Sequence, residues 1–166
     1  MDPQAVIDVF RRNVTEHYFD LKGRIRRKEF WYFVLASFVV YIGAAIIDAV
    51  LRTGLLTLAV SLALLLPTTG LGARRLQDTG RNGQLVWLWM LGWFVARILG
   101  LIALMSSPYG AMDAWYLAFT TGWLISLVNL AAFVISVVLI YFWIQPGTAG
   151  PNEYGPDPLA GAAAPA

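Results

Sequence analysis

Long apolar runs divide the chain into four predicted membrane-spanning helices. The runs cover residues 30–51, 55–73, 85–105 and 115–143. A helix of about 20 residues crosses a hydrocarbon core of about 30 Å. At 1.5 Å per residue the last run would extend about 43 Å, so we expect it to tilt or to protrude from the bilayer. The pattern predicts an all-α integral membrane protein in the form of a four-helix bundle.

The segment 1–29 is polar except for a repeat of helical period. Val6, Phe10 and Val14 recur every four residues behind an aspartate that can cap a helix and a proline that suits its first position. This repeat predicts an amphipathic helix over residues 3–19. Such a helix can lie in the membrane interface, or it can pack on the bundle as an ordinary cytoplasmic helix.

The segment 144–166 is rich in proline, glycine and alanine and has no hydrophobic period. This composition is typical of irregular structure. The predicted organisation is therefore an N-terminal polar segment, two helical hairpins joined by a loop at residues 74–84, and an irregular C-terminal tail.

Basic residues lie almost entirely on one predicted side of the membrane. Seven precede the first span and three lie in the loop 74–84, whereas the opposite side has only Arg52. The ten are Arg11, Arg12, Lys22, Arg24, Arg26, Arg27, Lys28, Arg74, Arg75 and Arg81. Because basic loops remain on the cytoplasmic side, the count predicts that both termini and the loop 74–84 lie in the cytoplasm.

Three polar motifs interrupt the apolar pattern. They read GRIRRKEFW at 23–31, ARRLQDTGRNG at 73–83 and PGTAGPNEYGPDP at 146–158. The predicted topology places all three on the cytoplasmic face, so we expect them to meet in one polar cap. Its candidate residues are Arg24, Arg26, Arg27, Glu29, Arg74, Arg75, Asp78, Arg81, Asn152 and Tyr154.

In this order and spacing the three motifs resemble the domain of unknown function 805 family, small bacterial inner-membrane proteins, over residues 18–158. The middle motif of that family commonly reads Arg-Arg-Leu-His-Asp followed by Gly-Arg-Ser-Gly-Trp. Here Gln77 stands in the place of the histidine, and Asn82 and Gln84 replace the serine and the tryptophan. An amide cannot titrate, so Gln77 cannot take a proton-transfer role. The resemblance implies membrane location and fold, and it brings no established activity.

The first two motifs each admit two interpretations. The five cations between residues 22 and 28 either fix the orientation or bind a partner or anionic head groups, to which each cation near the surface contributes up to about 1 kcal/mol. In the middle motif, Asp78 can pair with Arg75 or Arg81 in a structural turn. Alternatively, Arg74, Arg75 and Asp78 form a phosphate site. For the tail motif we expect a compact turn packed under the bundle.

Three charged or amide residues lie inside the predicted spans. Arg97 falls near the middle of the third span, where an unpaired arginine costs about 2.5 to 3.5 kcal/mol. Asp48 is its candidate partner, although Arg52 lies one turn from Asp48; alternatively Arg97 snorkels alone or belongs to a substrate or ion site. Asn129 is a candidate for an interhelical hydrogen bond, and Pro67 is expected to kink the second span.

The residue types needed for familiar chemistry are scarce. The chain is 58% hydrophobic and 13% charged, with no cysteine and one histidine, and it carries no nucleotide-binding, zinc-protease or nucleophile motif. We therefore expect no catalytic residue, cofactor, metal or nucleic acid. The predicted function is that of an interaction or accessory protein whose partners are membrane lipids, a membrane protein or a second copy of the chain. A small transporter or channel and an anionic-lipid-binding or lipid-modifying protein are the alternatives.

Overall fold

The computed structural model describes residues 2–105 and 111–160. Side chains are described within these ranges except at 96–97, 100–105 and 111–121. All regular structure in the described chain is α-helical, apart from one isolated bridge in the tail. The predicted all-α class is therefore confirmed.

Five helices follow one another along the chain. Their bounds are Pro3–Thr15 (α1), Arg27–Leu51 (α2), Leu55–Asp78 (α3), Leu85–Met105 (α4) and Ala111–Ile144 (α5).

Three helical segments have the length and composition of membrane spans. Among residues with described side chains these are α2, α3 and the segment Gly122–Ile144 of α5, while Leu85–Val95 of α4 is a shorter apolar helix. Large apolar side chains on these helices face outward; Val50, for example, is 78% exposed. Apolar surface on this scale is covered by lipid or by another protein rather than by water.

The chain divides into two compact units, one of residues 1–83 and 142–166 and one of residues 84–141. In the first unit α1 packs on α2, with the rings of Phe10 and Phe33 stacked 5.5 Å apart and an ion pair of 3.4 Å between Arg12 and Glu29. α1 ends at Thr15, four residues before the end predicted from the sequence.

The turn between α2 and α3 is built around a carboxylate. Asp48 accepts hydrogen bonds from the Thr53 hydroxyl at 2.6 Å and from the backbone N–H groups of Leu56 and Thr57 at 3.2 and 2.6 Å. It thus satisfies donors that the first turn of a helix leaves free. The side chain of Arg97, its predicted partner, lies outside the described residues.

α3 continues through Pro67 as far as Asp78, so the first five residues of the predicted loop are helical. A proline has no N–H, and the carbonyl four residues earlier therefore loses its helical partner. Here the Tyr18 hydroxyl donates to that carbonyl, on Ala63, at 2.8 Å. The side-chain donor replaces the missing bond and the helix does not end at the proline.

In the second unit α4 and α5 meet around a serine. The indole N–H groups of Trp89 and Trp93 both donate to the Ser136 hydroxyl, at 2.9 and 3.3 Å. Asn129, predicted to bond to another helix, donates to the carbonyl of Ile125 in its own helix at 2.8 Å. It lies on an exposed part of α5, where that carbonyl, one turn back, is within reach.

Candidate functional site: the polar cap

All three polar motifs contribute to the first unit, where segment 21–28, the end of α3 and the tail segment 145–159 come into contact. We call these three segments the polar cap. At its centre lies Arg75, whose side chain is fully buried. It forms an ion pair with Asp78, donates from Nε to the Trp143 carbonyl at 3.0 Å and donates from a terminal nitrogen to the Gln145 carbonyl. One planar guanidinium therefore joins α3 to the end of α5.

Asp78 is shared by a second buried arginine. The Arg24 side chain is 2% exposed, and its Nε lies 2.9 Å from an oxygen of Asp78. The terminal nitrogens of Arg24 donate to the carbonyls of Thr148 and Gly150, each at 2.6 Å. A single carboxylate thus holds two cations, and the second cation ties the tail to segment 21–28.

The tail passes directly over this carboxylate. A Cβ atom at Gly147 would lie 2.7 Å from the carboxyl carbon of Asp78, closer than real Cβ contacts allow. The next residue, Thr148, donates from its backbone N–H to the Asp78 carbonyl at 2.8 Å. Only glycine fits at this crossing.

Gln77 joins the linker before α2 to the tail. Its side-chain nitrogen donates to the Leu21 carbonyl at 2.9 Å, and its backbone carbonyl accepts from the Asn152 side chain at 2.9 Å. Asn152 in turn accepts from the backbone N–H of Tyr154 at 2.9 Å. The residue at the family's histidine position therefore works here as a hydrogen-bond donor to backbone.

The three residues of the predicted phosphate site are not assembled into one. Arg74 donates to Asn13 of α1 at 2.6 Å, whereas Arg75 binds Asp78. Of the two partners predicted for Asp78, Arg75 is found, and Arg81 lies instead over the Phe142 ring at 4.0 Å. Arg24, the other partner of Asp78, is not indicated by any local pattern because it lies 54 residues away.

The basic segment, residues 22–28, also holds the far end of the tail. Nε of Arg26 donates to the Pro158 carbonyl at 2.6 Å, and Arg27 donates to the Ile144 carbonyl at 3.2 Å. Lys28 stands over the Tyr32 ring at 5.4 Å. Arg24 and Arg26 therefore hold the tail in place, a role that sequence reasoning did not assign to them.

A cleft of about 420 Å³ remains between the basic segment and the tail. Arg24 and residues 26–28 line one side, and residues 146–149 and 157–159 line the other. Among the described residues, no three histidine, aspartate or glutamate side chains are grouped so that they could hold a metal ion. With Asp78 shared by two arginines, the cleft offers fixed cations and backbone groups, an arrangement suited to binding.

Asp157 makes the tail turn sensitive to acid. Backbone N–H groups, first that of Leu159 and then that of Gly150, hold the pKa of this carboxyl below its ordinary value. A depressed native pKa stabilises the fold above the unfolded-state pKa of roughly 4, and the contribution disappears as the pH falls through the native pKa.

We expect protease cleavage of the tail in detergent to accelerate below about pH 4. The tail of Asp157→Ala should be cleaved rapidly at neutral pH as well. If cleavage of this variant still accelerated below about pH 4 as in the wild type, the assignment to Asp157 would be contradicted.

Together these observations define a multi-helix membrane protein in which polar segments from the N-terminal region, the chain centre and the C-terminal tail close into one cap. The chain belongs to the family described as "Protein of unknown function (DUF805)", whose model matches residues 18–156. The family resemblance of the three motifs is confirmed.

Three relatives from Escherichia coli (strain K12) are similar over nearly the whole chain. "Inner membrane protein YhaI" is 32% identical, covering 90% of this chain and 94% of the relative. "Inner membrane protein YhaH" is 28% identical over 87% and 92%, and "Uncharacterized protein YiiR" is 27% identical over 87% and 89%. No solved structure gives a significant match. The relatives are inner-membrane or uncharacterised proteins, and none brings a specific activity.

Proposed function

We propose that this protein is an interaction or accessory protein of the bacterial inner membrane rather than an enzyme, and that the polar cap is its recognition surface. The observation that carries the proposal is the pairing at the centre of the cap. The side chains of Arg75 and Asp78 are 0% and 6% exposed and form an ion pair. Asp78 also accepts from Arg24, and Arg75 also donates to the carbonyls of Trp143 and Gln145. Charged groups engaged in this way fix a shape, and they are not available to react with a substrate.

The ordered tail supports a role in recognition. Ordering one residue of irregular chain costs about 1–2 kcal/mol of backbone entropy, and residues 145–159 of the tail are held in one conformation. Buried arginines offset that cost with bonds to tail carbonyls. Membrane anchoring alone would need no such tail, so we infer that its shape is what a partner recognises.

The proposed topology has four crossings with both termini in the cytoplasm. Arg24, Asp78 and Thr148 are in contact, so the segments before α2, after α3 and after α5 lie on one side of any membrane that the helices cross. The pair α2 and α3 and the pair α4 and α5 then each cross the membrane once in each direction. The excess of basic residues in the same segments favours the cytoplasm for that side. The transporter alternative depended on Arg97, whose side chain lies outside the described residues, and we do not propose it.

The absence of cysteine from the sequence makes single-cysteine labelling a clean test of this topology. Leu55 at the hairpin turn is 70% exposed, and Ala160 in the tail is exposed and does not line the cleft. On intact spheroplasts an impermeant maleimide should label Leu55→Cys and not Ala160→Cys, and permeabilised cells should label both. The reverse pattern would place the polar cap outside the cell and contradict the proposal.

The same two variants test the interaction. With a thiol-reactive photocrosslinker in native membranes, Ala160→Cys should give one crosslinked species with a second protein, at a ratio that stays constant between two expression levels. Leu55→Cys, at the opposite end of the hairpin, should not give that species. Adducts from Ala160→Cys that contain only lipid, only this chain or a continuum of proteins would contradict an accessory role.

A further inference from the structure

The cleft of the polar cap contains cations whose hydrogen-bonding capacity is not used up. Arg26 donates from Nε to Pro158 and Arg27 from one terminal nitrogen to Ile144, while Lys28 contacts a ring face. Within the described chain, the remaining donors of these three side chains have no hydrogen-bond partner. All three residues line the same cleft.

Carboxylates near the cleft only partly neutralise these cations. Asp78 is shared between Arg24 and Arg75, and Asp157, which accepts two backbone N–H groups in its own turn, also interacts electrostatically with Arg24 and Arg26. Glu29 pairs with Arg12 of α1. The cleft is lined by five cationic residues and two acidic ones, which leaves a net charge of +3 (five minus two).

The first turn of α2 adds backbone donors at the same place. α2 begins at Arg27, and its capping residue Arg26 provides no side-chain hydrogen bond to it. The first N–H groups of a helix have no acceptor within the helix and carry a partial positive charge, which favours an anion. Here they supplement charged side chains that already line a cleft.

The position of the cleft indicates the source of the anion. α2 is long and apolar enough to cross a membrane, and the cleft adjoins the end at which this helix starts. Lipid head groups lie at that level, and basic residues beside a span attract anionic lipids. The volume of the cleft is within the range of about 300–1,000 Å³ that small-ligand sites occupy.

We propose that this cleft binds the phosphate group of an anionic phospholipid, with the side chains of Arg26, Arg27 and Lys28 and the first turn of α2 as donors. Inorganic phosphate carries the same chemistry, and the lipid is favoured because the cleft opens beside a membrane span. This inference goes beyond the proposed function, which needs a protein partner and no bound lipid.

The test compares the full-length protein with two double variants in nanodiscs that contain equal amounts of phosphatidylglycerol and phosphatidylcholine. Arg27→Gln/Lys28→Gln removes two cations of the cleft, and Arg11→Gln/Arg52→Gln removes two exposed cations outside the cleft and outside the polar cap. The lipids that remain bound after detergent exchange are counted by native mass spectrometry. We expect the wild type to retain phosphatidylglycerol preferentially, the cleft variant to retain it at least about fivefold less, and the control to change less than about twofold.

Two further arms keep the result interpretable. Arg27→Lys/Lys28→Arg preserves both charges and should retain the lipid, and the unfolding midpoints of all variants should agree with that of the wild type. Equal losses in the cleft variant and the control would reduce the effect to general electrostatics and overturn the site. The last comparison adds inorganic phosphate, or chloride at the same ionic strength. If phosphate displaces the bound phosphatidylglycerol and chloride does not, soluble phosphate is the ligand and the lipid assignment is overturned. The crosslinking of Ala160→Cys to a protein is scored separately, so the two proposals can fail independently.

Discussion

Asp78→Ala is expected to lower the free energy of unfolding by about 3–5 kcal/mol, the largest single effect that the polar cap predicts. The carboxylate is the shared partner of Arg24 and Arg75, and its removal leaves two buried guanidinium groups without a counter-charge. The measurement is an unfolding titration with sodium dodecyl sulfate in mixed micelles, followed by tryptophan fluorescence. Protease sensitivity of the tail should rise in parallel, because Arg24 also holds the tail carbonyls.

The matched control for this experiment is Asp8→Ala. Asp8 lies on the exposed surface of α1, and its bond to the Gln4 side chain is exposed as well. Its replacement should change stability by less than about 0.5 kcal/mol.

A double variant separates lost charge pairing from lost packing. If uncompensated charge dominates, Asp78→Ala combined with Arg75→Met should destabilise less than the sum of the two single changes, since one unpaired cation is removed with the anion. Strict additivity of the two effects would contradict the shared-carboxylate arrangement.

Gly70→Ala is expected to destabilise by about 1–3 kcal/mol, although alanine normally favours a helix over glycine. A Cβ at this buried position of α3 would lie 2.8 Å from the backbone carbonyl oxygen of Asp20. That segment cannot move away easily, because the neighbouring Leu21 carbonyl is held by Gln77 and Tyr18 is bonded to α3. The same unfolding titration measures the change.

Gly43→Ala is the control, and we expect it to change stability in the opposite direction. Gly43 lies within α2, and nothing approaches its position within 4 Å. Alanine there should stabilise by up to about 1 kcal/mol through helix propensity. If Gly70→Ala were equally stabilising, the close passage of the linker over α3 would be wrong.

The helical class could be predicted because its signal is local. A run of some twenty apolar residues satisfies its own backbone hydrogen bonds in lipid only as a helix, whatever its neighbours are. The three motifs identified the family for a related reason, since each is a short continuous string.

The ends of the elements were less predictable. The sequence predicts that Arg74 and Arg75 begin a loop, because charged residues seldom belong in an apolar span. In the structure α3 continues to Asp78. Its last turns are covered by the linker and the tail, and the arginines find Asn13, Asp78 and backbone carbonyls there. These partners stabilise the buried, charged end of α3. Apart from Asp78, which belongs to the same helix, they are distant in sequence.

The sequence by itself determined that this protein is helical, apolar enough for a membrane and strongly asymmetric in its basic residues. Only the tertiary structure decided that Arg24 joins Arg75 on Asp78, that the basic segment holds the tail, that the linker passes over Gly70, and that Gly147 of the tail passes over Asp78. The physical reason is the range of the interactions. Burial in lipid acts on each segment alone, whereas the bonds between the segments of the cap join residues 54 to 132 positions apart and depend on how the hairpins bring their ends together.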